Sequence, residues 1–516
     1  MQLRTLAIFL LWLIAVTFAG ATVKLPALFS DNMVLQRDAN VAVWGWAAPG
    51  EKVTISVQGQ QVGATADAQG NWRVALKPMP AGGPVELTVA GADKTITLHN
   101  VLLGDVWVCS GQSNMNMYLQ GTTGWEAEAA QANYPNIRLC TQTAVCALEP
   151  RQDVQVTTAW TPCSPEKARY FSAVAYYFGK ELHSNLNVPI GLLANPLNGS
   201  TAEAWSSRAT LAADPELKVT LDYWDTVLQK QAGAMLTDTY PAMQAWVKEA
   251  EQAKAEGKPL PIPPAQAFQL DPRTNGNVNY HLATGLFLGT ILPITPLAIK
   301  GVIWYQGEHN TDRPAQYRKL LPALITCWRQ AWGRDDLPFL FVQLPNYYAR
   351  QADPNNYSGW TLLREAQTQT LRLPHTGMAV SLDVGEAGNI HPVNKGPVGK
   401  RLGLVALATV YGKTLECSGP VYDGMTVEGQ TIRLRFTHLG GGLVAKDGEA
   451  LTGFAIAGND KKFTWADARI DGDTIVVSCK DITEPVAVRY AWADNPQCNL
   501  YNTAGLPTGT FRTDNW

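Results

Sequence analysis

The sequence predicts an α/β fold in which a parallel-sheet domain lies between two β-rich regions. Three observations carry that expectation. Apolar, β-branched and aromatic runs such as DVWVCS from Asp105, GVIWY from Gly301 and Met378–Leu382 each end abruptly in polar residues, as fully buried parallel strands do. Helical stretches alternate with such runs, for example Phe171–Ser184 before Val188–Ala194, which is the rhythm of an α/β sheet. On both flanks, short alternating runs (VAVWGWA, KVTISVQG, TIRLRFTH, DTIVVSCK) are punctuated by Gly, Pro and Asn, the pattern of antiparallel sandwiches.

A chain of 516 residues exceeds one ordinary domain. Residues 1–21 read as an export signal: Arg4 supplies the positive end, Leu6–Phe18 the apolar core, and Ala19-Gly20-Ala21 the cleavage pattern. That core is shorter than the ~20 residues needed to span a bilayer, and no later stretch is long and apolar enough. The expectation is a secreted or periplasmic protein with no membrane span after cleavage. Residues 22–100 form the N-terminal β domain and 101–413 the α/β domain. Within the latter, about 206–280 reads as a helical insertion, rich in Lys, Glu, Gln and Ala and broken by KPLPIPPAQ. It would serve as a cleft wall or lid, or as an inert surface excursion. Residues 414–516 form a C-terminal β region, either a separate sandwich or one packed with the N-terminal β domain.

The strand ends carry the chemistry. Ser113 follows DVWVCSGQ, Gln306-Gly307-Glu308-His309-Asn310 follows GVIWY, and Asp383 and His391 follow Met378–Leu382. Loops at the carboxyl ends of an open parallel sheet converge on one crevice. A serine, a histidine and amide donors meeting there are the parts of acyl transfer. Taken alone, Ser113 also reads as a helix cap.

Four ordered segments show a family resemblance: GQSNM at Gly111, GLLANPLNGSTAEAW at Gly191, WYQGEHN at Trp304 and IHPVNK at Ile390. Together with LFSDNMVLQRD near Leu28 and the TGFAIAGND stretch, they resemble the sialate O-acetylesterase family of SGNH hydrolases over most of the chain. The resemblance implies an SGNH-hydrolase-like parallel-sheet domain flanked by β-sandwich-type regions, with Ser113 as nucleophile and His391 as general base. It assigns oxyanion stabilisation to the Ser113 and Gly199 backbone N–H groups and the Gln306 side chain. The implied substrate is an O-acetylated sugar, and no metal or organic cofactor is implied. A serine hydroxyl is a weak nucleophile until an imidazole accepts its proton, so the pairing suits the chemistry.

The chain departs from the family pattern at one point. Many SGNH hydrolases carry an aspartate three residues before the histidine, and here that position is Gly388. Asp383, at the preceding strand end, and Glu386, in the loop, are the nearest candidates to orient the imidazole. The alternative is a Ser–His dyad in which a backbone carbonyl holds the imidazole N–H, and Asp383 or the dyad is preferred. His99, His183, His281, His375 and His438 show no metal-ligand spacing and read as background. His309 reads as a pocket wall or a structural hydrogen-bonding residue. Glu308 belongs behind the site, since a free carboxylate would repel a developing oxyanion. Recognition of a sialate carboxylate favours an arginine, and Arg208 and Arg364 are the candidates.

A balance of 41 Lys+Arg against 44 Asp+Glu, without a basic run, removes electrostatic support for nucleic-acid binding. Eight cysteines in an exported chain make disulfides an expectation without fixing their pairing. Cys109, on the strand before Ser113, reads as a small buried hydrophobe. The 17 Trp and 17 Tyr supply rings for the core and for stacking on sugars. Two other readings remain: an acetylesterase of plant polysaccharides such as xylan or pectin, and a secreted carbohydrate-binding protein without catalysis.

Overall fold

The computed structural model describes residues 22–234, 240–261 and 280–516. The expected export signal, 1–21, lies outside them, as do 235–239 and 262–279 of the expected insertion.

One strand organises the chain. Thr95–Gly111 runs for 17 residues. Its first half pairs antiparallel with Gly82–Ala90 of the N-terminal region. Its second half lies between Ile190–Ala194 and Gly301–Tyr305, both parallel to it. The expected boundary at residue 100 therefore falls inside a continuous strand, and both regions share a mixed sheet of 11 strands. Its parallel part runs in the order Thr376–Ala379, Phe339–Val342, Gly301–Tyr305, Thr95–Gly111, Ile190–Ala194 and Tyr134–Thr143, with Gln155–Cys163 added antiparallel at the edge. The chain is a mixed α/β protein with this large sheet and several small β sheets.

The central strands are apolar throughout because both faces are covered. Every residue of Ile190–Ala194 and Gly301–Tyr305 is buried. Val302 and Trp304 share a cluster with Trp328 and Trp360 of the helices Pro314–Trp332 and Gly359–Thr370. Ile303 and Tyr305 share the opposite cluster with Phe178 and Val398 of Ala173–Leu186 and Gly396–Thr409. Each large apolar side chain buried this way contributes about 1.5–3 kcal/mol. The last two helices cross closely at Gly399, where a Cβ would stand 2.6 Å from the Val174 carbonyl oxygen.

The C-terminal β region docks on the α/β domain through a buried cation. Arg364, on the helix Gly359–Thr370, is fully buried and donates to the carbonyls of Leu344 (3.1 Å), Pro345 (3.2 Å), Ala493 (2.8 Å) and Asp494. Thr361 adds a 2.8 Å bond to the Asp494 carboxylate. Burial lowers the Arg364 guanidinium to about 10. Arg364 is thus a structural clamp and cannot meet a substrate carboxylate. Within the stretch read as an insertion, the described helices are Arg208–Ala212, Pro215–Ala234 and Tyr240–Ala255. Arg208 is already forked onto Asp225 at 2.9 and 2.5 Å.

The cysteines correct another expectation. Cys140, Cys163, Cys417, Cys479 and Cys498 are free thiols rather than disulfide partners. Cys109 is buried as anticipated, and burial raises its thiol.

At the end of the long strand, Gly111 has φ +132°, and a Cβ there would lie 2.2 Å from the Tyr305 carbonyl oxygen. Gly111→Ala is expected to cost on the order of 2–4 kcal/mol through clash and backbone strain. Urea unfolding reads this as a lowered midpoint, and an unchanged midpoint would show that the neighbouring strand simply moves aside.

Candidate active site

The strand order reverses between Thr95–Gly111 and Gly301–Tyr305, because the chain first builds the sheet to one side and then to the other. A crevice opens at the carboxyl ends of such a pair. Gly111 and Tyr305 lie opposite one another in register at its floor. The Gln112 N–H donates to the Tyr305 carbonyl at 2.9 Å, and the Gln112 side-chain oxygen accepts the Gly307 N–H at 3.2 Å. These bonds join the two strand ends just before the short helix Ser113–Asn116.

Ser113 Oγ lies 2.7 Å from His391 Nε2. The histidine comes from the loop after Thr376–Ala379, and several bonds hold that loop against the serine helix. Asn114 Nδ2 donates to the Ile390 carbonyl at 3.0 Å, and the Thr123 N–H donates to the Val393 carbonyl at 3.0 Å. Glu386 braces the loop from within, accepting the Val393 N–H at 2.7 Å and Asn389 Nδ2 at 3.1 Å. Burial, and then the nearby Lys395 ammonium, lower the His391 pKa from its ordinary value, which favours the neutral imidazole.

The expected carboxylate partner is not there. Asp383 is forked by Arg401 at 2.6 and 2.7 Å and accepts the Tyr501 hydroxyl at 3.0 Å. Burial would raise its carboxyl, but these bonds outweigh it and hold the group below its usual range. Asp383 thus ties the helix Gly396–Thr409 to the C-terminal region. Glu386 is committed to the loop backbone and Asn389. Among the described residues, His391 Nδ1 has no hydrogen-bond partner, so the geometry is that of a pair rather than a triad.

Gln306 also departs from its expected role. It is fully buried, and its Nε2 donates to Asn310 Oδ1 at 2.7 Å and the Ser200 carbonyl at 3.2 Å. Its oxygen accepts the Tyr317 hydroxyl at 3.0 Å. Both amide donors are therefore spent on fixing the Gly199 loop, through Ser200 and Asn310. Gly199 itself, at φ +71°, faces His309, whose Cε1 would be 3.5 Å from a Cβ at that position. Asn116 Nδ2 reaches Asn198 Oδ1 at 2.8 Å, which brings this loop to the serine helix. The Ser113 and Gly199 N–H groups have no acceptor among the described residues.

Behind the serine, where Glu308 was expected, lies a charged cluster whose other members, Asn114 and Lys395, sequence reasoning did not single out. Asn114 donates to Glu308 Oε1 at 2.5 Å and accepts from Lys395 Nζ at 2.5 Å. All three residues are buried. Burial raises the Glu308 pKa, against the bond from Asn114. Burial lowers Lys395 to about 7 despite the pull of Glu308. Lys395 also sits over the Tyr305 ring, 5.4 Å from its centroid. Asn114 and Lys395 stand inside the GQSNM and IHPVNK segments, which is the signal that could have found them. His309 stacks on His281 at 5.0 Å, and Tyr280 packs on His281 at 4.4 Å, so His281 is a wall of the site rather than background.

A serine hydroxyl facing an imidazole at a strand-end crevice, beside two backbone N–H groups with no acceptor among the described residues, is the arrangement of serine acyl-transfer enzymes, carboxylic ester hydrolases among them. Comparison with known proteins agrees and narrows the class. Residues 291–406 match the family described as a carbohydrate esterase, sialic acid-specific acetylesterase. The chain is 31% identical to the sialate O-acetylesterase of Rattus norvegicus, over 98% of both chains. It is 30% identical to that of Mus musculus, over 96% of this chain and 94% of the other. A carbohydrate acetylesterase structure from Xanthomonas citri superposes with a TM-score of 0.79 at 35% identity, covering 96% of this chain and 100% of that one. The chain belongs to the sialate O-acetylesterase family.

Two measurements probe this geometry. Asp383→Asn removes one partner of a buried ion pair and is expected to lower stability by roughly 3 kcal/mol while leaving the acid limb of the pH–rate profile in place. A displaced acid limb would return the imidazole-orienting role to Asp383. Lys395→Gln removes a positive charge that is present wherever His391 titrates, because Lys395 is protonated below about 7. The His391 pKa then rises, and the acid limb of kcat/KM for a small acetyl ester should move to higher pH. An unmoved or lowered limb would show that the charge is not felt at the imidazole.

Proposed function

We propose that the chain is a serine esterase of the SGNH type that removes O-acetyl groups from sugars, acting outside the cytoplasm after export with cleavage behind Ala21. The observation that carries this reading is the 2.7 Å contact between Ser113 Oγ and His391 Nε2. Ser113 Oγ attacks the acetyl carbonyl carbon while His391 Nε2 takes its proton. The tetrahedral oxyanion is received by the Ser113 and Gly199 N–H groups, the kind of fixed donors whose loss typically costs ~10²–10³ in turnover. Collapse returns the proton from His391 to the departing sugar oxygen and leaves an acetyl-enzyme. Water, deprotonated by His391, then releases acetate. Because His391 Nδ1 has no hydrogen-bond partner among the described residues, the pair works as a dyad.

The named relatives point to acetylated sialic acid as the substrate. A second reading, the acetyl esters of plant polysaccharides such as xylan or pectin, has one observation in its favour. Both arginines singled out for a sialate carboxylate are committed elsewhere, Arg208 to Asp225 and Arg364 to backbone carbonyls.

Acetate release by the exported protein and by Ser113→Ala, from O-acetylated sialic acid, acetylated xylan and acetylated pectin in parallel, separates the readings. Release from sialic acid that the variant loses supports the first. Release mainly from a polysaccharide keeps the chemistry and changes the substrate. Serine-independent release, or none, would sink the esterase mechanism as written.

A further inference from the structure

The N-terminal β region carries an aromatic and cationic cleft that shares no residue with the Ser113–His391 cluster. The strands Val41–Trp46 and Asn71–Leu76 form an antiparallel ladder with Trp44 opposite Arg73 and Trp46 opposite Asn71. Side chains two apart share a face of a strand, about 6.8 Å from one another. The two half-buried tryptophans and their two exposed polar partners therefore line one side of the ladder. These residues line a cavity of about 420 Å³, whose lining also includes Arg151 and Gln152 from beyond the N-terminal β region. The volume lies within the range of small-ligand sites.

The walls are fixed relative to each other. Asp153, next to Gln152, accepts the Ala27 N–H at 3.1 Å, and Trp160 Nε1 donates to the Leu28 carbonyl at 3.0 Å. Trp44 is held edge-on against Phe29 at 4.9 Å. A cleft whose walls do not have to be ordered on binding loses less affinity to entropy.

Charge narrows the occupant. Among the described residues, the guanidinium groups of Arg73 and Arg151 and the amide of Gln152 have no hydrogen-bond partner. The carboxylate in the cleft, Asp67, is already engaged: it accepts the N–H groups of Gln69 at 2.9 Å and Asn71 at 2.8 Å, and Asn71 Nδ2 as well. Flat indole faces stack on the C–H face of a sugar ring, and planar guanidinium groups bind carboxylates through paired bonds. We propose that this cleft is a second, non-catalytic glycan-binding site, with Trp44 and Trp46 as the stacking surface and Arg73 and Arg151 as the receptors for the carboxylate of an acidic sugar. Sialic and uronic acids share that chemistry. The site would hold an acidic glycan on the enzyme while acetyl esters elsewhere along it are cleaved.

Binding is read without turnover, so the test is independent of the esterase mechanism. Oligosialic acid, oligogalacturonate and neutral xylo-oligosaccharide are titrated into the full chain by calorimetry, and into Arg73→Gln/Arg151→Gln and Trp46→Ala. The expected result is binding of an acidic probe that weakens by roughly tenfold or more in each variant, with hydrolysis of a small acetyl ester unchanged. Whichever acidic probe binds identifies the source of the carboxylate. No binding of either acidic probe, equal binding of the neutral one, or undiminished binding by the folded arginine variant would overturn the proposal. Should the tryptophan variant fail to fold, the variant of the exposed Arg73 and half-buried Arg151 decides alone.

Discussion

The Tyr305 carbonyl oxygen occupies the space where a side chain at position 111 would begin. It also accepts the Gln112 N–H, so two strand ends that come from distant parts of the chain are locked together by backbone alone. Everything in the site is measured from this junction. The serine helix starts one residue later, the Gly307–Asn310 turn hangs from the Gln112 side chain, and the histidine loop is fastened to both through Asn114. A reacting pair needs placement within about 1 Å, since misplacement on that scale can cost roughly 10²-fold in rate. A contact between main-chain atoms supplies such placement with no rotamer to lose.

Beneath the junction, one neutral amide separates two ionisable groups. Asn114 donates to both Glu308 and the Ile390 carbonyl while accepting from Lys395, which a carboxylate could not do without adding charge, nor a hydroxyl, with its single donor, without losing a bond. Isolated buried charges are expensive, and burial here drives both residues toward their neutral forms. The imidazole feels the same environment. Its pKa is lowered, and with no hydrogen-bond partner on Nδ1 among the described residues it owes its orientation to the loop that carries it.

Much of this was legible in the sequence. Buried strands announce themselves as apolar runs that stop at polar residues, and those stops placed Ser113, Gln306 and His391 around one crevice. What could not be read was partnership. Asp383 sits at a strand end like the others, but its partners are Arg401 on a later helix and Tyr501 in the C-terminal region. Gln306 has the donors an oxyanion needs, yet its complete burial turns them inward. Arg364 looks like a surface cation in any hydropathy profile because nothing local records that four carbonyl groups will surround it. The boundary at residue 100 failed for a different reason. Asn100 adopts φ +56° and the pairing slips beside it, so the sequence carries the marks of a turn while the strand bends and continues.

That unbroken strand has a consequence for how the chain can be inherited. Segments that recombine freely between genes are those whose removal leaves no hydrogen-bond ladder open. Here, separating the first β region from the α/β part would strip Gly82–Ala90 from Thr95–Gly111 and leave a long unpaired edge, the kind of surface that recruits other chains. The two regions are therefore a single unit of exchange. On the strength of this ladder, a chain that keeps the large sheet intact is expected to keep the tryptophan-bearing β region with it.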